Sequence, residues 1–98
     1  MSVYIDPETN CLTNKNWRWN VVTHLFADTL KELHEFAALL GLKRSWFQWK
    51  SPESLPHYDL SPNKRVEAIK RKVVVCDRRE AVEIWRKLRK ENLEVGRV

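Results

Sequence analysis

Glycine is scarce in this 98-residue chain, which holds two, with four prolines and two cysteines. So little glycine excludes collagen-like and low-complexity chains. It also excludes phosphate-cradling loops built from repeated glycines: no P-loop, dinucleotide fingerprint or nucleophile elbow is present. Cys11 and Cys76 are too far apart to form a Cys-x-x-Cys redox pair or a zinc knuckle. Cys76 closes the run Val73-Val74-Val75 and reads as a small buried hydrophobe. The longest apolar run, Phe36 to Leu42, falls far short of the roughly 20 residues that span a bilayer. With no stretch resembling a signal peptide, the expectation is a cytoplasmic protein with reduced thiols and no membrane partner.

What is present is 43% hydrophobic and 32% charged, with five tryptophans. A chain of this length buries roughly 65% of its unfolded surface, enough for one core without metal or disulfide support. A single domain over residues 1–98 is expected. The net charge of +5 is unevenly spread: residues 1–40 hold three basic and five acidic groups, and residues 41–98 hold fifteen and eight. Such an asymmetry steers polyanions, whether a nucleotide, a nucleic acid or an acidic protein surface.

Along the chain, Val3-Tyr4-Ile5 reads as a strand ended by Asp6-Pro7, because Pro7 has no amide donor. Residues 8–16 have no period and read as loop. A second strand lies within 21–27. Thr29-Leu30-Lys31-Glu32 is a capping box, the apolar stripe Leu30, Leu33, Phe36, Ala37, Leu40 marks a helix, and Gly41 stands where a left-handed cap ends it. Lys43 to Gln48 is aromatic and suits a strand. Ser61-Pro62 starts a second helix that runs to about Lys72. Val73 to Cys76 has the pattern of a strand covered on both faces. Asp77 to Glu80 caps a third helix with the stripe Ala81, Ile84, Trp85 and Leu88. Strands alternating with helices predict an α/β fold, with three helices on a small, largely parallel sheet of three to four strands.

In open parallel sheets ligands bind at the carboxyl ends of the strands. Those ends carry Asp6, Asp28, Gln48, Asp77, Arg78 and Arg79, although Asp28 and Asp77 are equally placed to cap helices and Asp6 to start a turn. The densest candidate segment is His57-Tyr58-Asp59-Leu60-Ser61-Pro62-Asn63-Lys64-Arg65. It joins a general base or metal ligand, a carboxylate two residues on, and a helix start whose free amides suit a phosphate. His24, Asp28, His34, His57 and Asp59 are of the types that ligate zinc or non-haem iron, though their spacing matches no named metal motif.

Several short motifs also act together. Val3-Tyr4-Ile5-Asp6, His24-Leu25-Phe26-Ala27-Asp28, Glu32-Leu33-His34, Gly41-Leu42, Ser45-Trp46-Phe47-Gln48, Pro56-His57-Tyr58-Asp59, Lys64-Arg65 and Arg79-Glu80 resemble a family of small uncharacterised bacterial and phage proteins classed as a domain of unknown function. The resemblance covers roughly residues 2–80 as a family-like core and leaves 81–98 as a helical extension. It implies that polar residues recur at His24, Asp28, His34, Gln48, His57 and Asp59. It carries no activity, cofactor or ligand.

Three functions follow as expectations. The first is binding of a nucleotide or nucleic-acid phosphate by Gln48, His57, Ser61, Lys64, Arg65, Arg78 and Arg79. The second is a metal-dependent phosphoester or nucleotide hydrolase, with His24, Asp28, His57 and Asp59 as catalytic candidates and Asp6, Asp28, His34 and Asp77 as metal ligands. The third is a phage-type interaction or inhibitor module that covers an acidic protein surface.

Overall fold

Among the described residues, five strands and three helices follow one another as β1 (Val3–Ile5), β2 (Thr9–Asn10), β3 (Val21–Ala27), α1 (Leu30–Leu39), β4 (Tyr58–Leu60), α2 (Pro62–Lys70), β5 (Val74–Val75) and α3 (Arg78–Glu94). The computed structural model describes residues 2–10, 17, 19–51 and 54–94, with side chains in α3 as far as Arg89. Cys11 and the rest of the expected loop over 11–16 lie outside the described residues.

β3 is the hub of the sheet. It runs antiparallel to β1 (Ile5 opposite Leu25), to β2 (Thr9 opposite Val22) and to β4 (His24 opposite Asp59), while β5 lies parallel to β1 (Tyr4 opposite Val74). The sheet is therefore mixed and five-stranded, not largely parallel with three to four strands. Two reversals that hydropathy alone does not reveal account for the difference. β1 and β3 pair antiparallel, and no helix stands between them among the described residues, so the chain turns back on itself. After α1, a turn between Gln48 and His57, which bond each other through both backbone groups at 2.9 and 3.0 Å, reverses the chain again just before β4. Lys43–Gln48 accordingly forms a 3-10 turn at Arg44–Trp46 and a single bridge at Gln48 rather than a strand.

Side chains along β3 alternate between two faces, as the pleat requires. Leu25 and Ala27 join Ile5, Tyr58 and Leu60 in the core, where α1 adds Leu33 and Ala37, α2 adds Ala68, and the helix ends add Leu40, Leu42 and Val73. His24 and Phe26 point the other way; Phe26 is wholly buried and stacks on Tyr4 with ring centroids 5.4 Å apart. Thus one strand builds the core with one face and offers polar groups with the other.

Both α1 and α2 close with the same device. Gly41 N–H bonds Ala38 O and Leu42 N–H bonds Ala37 O after α1; Lys72 N–H bonds Ile69 O and Val73 N–H bonds Ala68 O after α2. These are Schellman motifs, and in each the apolar residue past the cap is buried with the alanine it bonds. The left-handed position falls on Gly41 (φ 77°) in the first and on Lys72 (φ 64°) in the second. Lys64 Nζ donates to Leu40 O at 2.6 Å, satisfying a carbonyl that α1 leaves open.

Side chains cap both expected helix starts. Thr29 Oγ1 accepts from Glu32 N–H at 3.2 Å and donates to Glu32 Oε1 at 2.9 Å, so the carboxylate takes the hydroxyl and not the expected amide, whereas at α3 Asp77 and Glu80 cap each other's amides at 2.9 and 2.8 Å. β5 differs from expectation: Val74 and Val75 are 44% and 51% exposed, and the flanking Val73 and Cys76 are the buried ones. A β-branched run favours extended backbone, but an edge position, not composition, decides how much of it is covered. Thr9–Asn10, expected as loop, is recruited as β2 because β3 extends far enough to pair with it.

The two left-handed caps predict opposite stability changes. A Cβ on Gly41 would meet only Lys64 Nζ, at 3.6 Å, so Gly41→Ala should lose about 1–2 kcal/mol through backbone strain alone. Lys72→Gly relieves the same strain against the entropy of an added glycine and should gain up to about 1 kcal/mol. Urea denaturation midpoints of the two variants test this, and shifts of the same sign would contradict it.

Candidate functional site

The chain from β1 to β2 sets three residues, Asp6, Pro7 and Glu8, against two of β3, Thr23 and His24, which is the count of a β-bulge. Asp6 keeps one ladder bond, its N–H donating to His24 O at 3.3 Å, and the return bond goes to its side chain. Its Oδ1 accepts the His24 backbone N–H at 2.8 Å and its Oδ2 accepts His24 Nδ1–H at 2.7 Å. A single carboxylate thus fixes both the backbone and the ring of His24.

His24 lies opposite Asp59 on β4, and His57 precedes Asp59 by two residues, so all three share the face away from the core. Gln48, the bridge partner of His57, joins them there. His57 Nδ1–H donates to Leu55 O at 2.7 Å, and Gln48 Nε2 donates to Asp59 Oδ2 at 2.6 Å. What remains free on each ligand points inward: Asp59 Oδ1 lies 3.3 Å from His57 Nε2 and 3.9 Å from His24 Nε2. The two rings meet edge to face at 4.9 Å. Among the described residues this is the group of three whose ligand atoms lie within 4.8 Å of one another.

Hydrogen bonding makes this arrangement unusual. Each Nδ1 faces an oxygen that can only accept, so each carries its proton there, and a neutral ring then shows a bare lone pair at Nε2. Two Nε2 atoms and a carboxylate oxygen thus lie within 4.8 Å of one another. Such a set is stabilised either by protons on the imidazoles or by a cation held between the three atoms. Tetrahedral ligands at about 2.0–2.1 Å from zinc stand roughly 3.3 Å apart. The His57–Asp59 pair already has that separation, and His24 needs to close by roughly 0.6 Å on Asp59. Each of the three is buttressed from behind, by carboxylate, carbonyl and amide, as metal-bound histidines and carboxylates generally are.

With no cation between the three atoms, the electrostatics favour an imidazolium beside a carboxylate. The Asp6 hydrogen bond, against some burial and aided by the charges of Asp6 and Asp59, raises His24 above its ordinary 6.5. Burial pushes Asp59 upward, but hydrogen bonds from His57 and Gln48 and the charges of His57 and His24 outweigh it and bring Asp59 down. The cluster opens into a cleft of about 290 Å³ whose walls include Trp17, Val22, Lys50 and Leu55.

Other expected site residues are placed elsewhere. Because β3 is antiparallel to β1, Asp28 at its end sits at the far edge of the sheet from Asp6, where it accepts from Ser2 N–H at 2.7 Å and from Tyr4 OH at 2.8 Å. His34 is tied to Tyr58 OH through Nδ1 at 2.8 Å and lies against Phe47. Burial and the Arg44 charge lower His34 below 6.5, and burial raises Tyr58, so the phenol is the donor. Asp77 is taken up by its capping box. Ser61 caps α2 at Lys64 N–H, 3.3 Å away, and Lys64 binds Leu40 O and Glu67. Arg65 is half-buried, with Nε unpartnered among the described residues, and Arg78 and Arg79 are exposed at the start of α3. Trp17 and Lys50 were not singled out by the sequence.

A family model for a protein of unknown function, DUF4031, matches residues 3–88. The chain belongs to that family. The match extends past residue 80 into α3 as far as Leu88. Neither a curated protein nor a solved structure matches the chain.

In this DUF4031 protein, freed of metal ions, histidine proton resonances followed against pH should show His24 titrating above 6.5 and His34 below it. Asp6→Asn should bring His24 down, since it removes the largest cause of its shift. For stability the signs oppose. The His24 contribution is present below pH 6.5 and lost as pH rises through its raised folded value, whereas that of His34 is lost as pH falls below 6.5. Equal titration of the two rings would refute this assignment.

Proposed function

We propose that the protein is a metal-dependent hydrolase of small phosphoesters, with His24, His57 and Asp59 holding one zinc-class divalent ion. The observation that carries this reading is the convergence of two imidazole Nε2 atoms and one carboxylate oxygen, each braced from behind, on a cleft. Two histidines and a carboxylate are a common catalytic set, and three protein ligands leave a coordination position for water, whose pKa such an ion lowers to about 7.

Each residue then has a role. Asp6 orients His24 and raises its basicity as a ligand, Leu55 O does the same for His57, and Gln48 fixes the Asp59 rotamer. Lys50 contributes positive charge to the cleft wall, which favours an anionic ester. Anion binding at the helix starts has weaker support. Ser61 and the Asp77 carboxylate already occupy those amides, and Lys64 is spent on Leu40 O and Glu67.

Equilibrium dialysis against zinc should give one bound equivalent in the wild type and none in His57→Ala or Asp59→Ala. Asp6→Asn should weaken binding by about 10–100-fold, and Arg79→Ala should leave it unchanged. The zinc-loaded protein should release phosphate from p-nitrophenyl phosphate, and a chelator should stop it. Failure to take up zinc, or uptake indifferent to His57→Ala, would overturn the metal site. Stoichiometric zinc without turnover would overturn the hydrolase.

A further inference from the structure

Two features of the cleft are not used by the ligand cluster. Trp17 forms a wall beside Val22, the residue two before His24 on β3 and hence on the same face of the sheet. Its indole is oriented by Nε1–H donating to Val21 O at 2.9 Å and by the tilted ring of Trp19 at 4.9 Å. Lys50 lies two residues beyond Gln48 and lines the same cleft. The residue after it, Ser51, is bonded to Ser54, whose Oγ donates to Ser51 O at 2.8 Å and accepts from Ser51 N–H at 3.1 Å. No ion pair to Lys50 exists among the described residues. A divalent ion would balance Asp6 and Asp59 and leave Lys50 as the excess cation of the cleft.

We infer that the cleft takes a phosphomonoester bearing a planar ring, the chemistry of a mononucleotide, with the ring against Trp17 and the phosphate between the metal position and Lys50. The inference rests on the metal reading above. An oriented indole stacks on any heteroaromatic ring, and an ammonium binds phosphate as a point charge. A volume near 290 Å³ is at the small end of ligand sites and favours a single nucleotide over a longer strand. In the reaction, the oxygen of the activated water forms the new P–O bond and the ester P–O bond breaks. The leaving alkoxide takes the proton that the water gave up, so one water yields an alcohol and inorganic phosphate.

The test is calorimetric titration of the full chain, zinc-loaded and metal-free, with adenosine monophosphate, ribose 5-phosphate and adenosine as probes. The loaded protein should bind adenosine monophosphate about tenfold or more tightly than either fragment. Trp17→Leu should reduce that affinity to the level of ribose 5-phosphate, and Trp17→Phe should restore most of it. Lys50→Met should weaken both phosphates by about tenfold and leave adenosine unchanged. Absence of zinc uptake overturns both readings. Zinc uptake with equal binding of adenosine monophosphate and ribose 5-phosphate, or with affinities unmoved by Trp17→Leu and Lys50→Met, overturns this one alone.

Discussion

The alternation of side chains along β3 is the constraint on which the rest of the molecule depends. Thr23, Leu25 and Ala27 are buried on one face while Val22, His24 and Phe26 belong to the other, and β3 pairs with three of the remaining four strands. A slip of one residue in its register would drive His24 into the apolar core and put Leu25 in the cleft, so the fold and the site share one specification. The bulge at Asp6–Glu8 pins this register chemically, because the Asp6 carboxylate takes the His24 amide that regular pairing would give to a carbonyl.

The same logic governs the polar cluster. Partly buried polar groups are costly unless bonded, and each residue of the cluster is bonded on its outer side. The inner side is left with acceptors only, when the rings are neutral. That inner side is satisfied either by protons on the imidazoles, which the raised His24 and lowered Asp59 favour, or by a cation between the three atoms. Tyr58 separates this face from the core: its ring is buried among apolar residues, and its hydroxyl reaches His34, which ties α1 to the strand that carries Asp59.

Local chemistry made much of the fold legible. The side-chain caps at Thr29 and Asp77, the Ser61-Pro62 start and Gly41 at a left-handed cap involve residues at most a few positions apart, and each was readable from spacing. Lys72 was not, because a lysine in the left-handed region is imposed by the packing of Val73 onto Ala68 rather than favoured by its own backbone. The expectation of a largely parallel sheet fails for a similar reason. Apolar periodicity marks a strand but not its direction, and the reversal between Gln48 and His57 is written in backbone bonds, not in residue types.

For the site, the sequence by itself determined the ingredients: His57 and Asp59 at a spacing of two, His24 within an apolar strand, Asp6 before a proline, Gln48 after an aromatic run. A period of two puts His57 and Asp59 on one face in any extended chain. Only the tertiary structure decided which of the other candidates meet them. Antiparallel pairing carried Asp28 to the far edge and brought His24 opposite Asp59, and long-range pairing delivered Gln48, Trp17 and Lys50 to the same cleft. The physical reason is that spacing along the chain fixes a face, whereas strand order and direction fix who shares it.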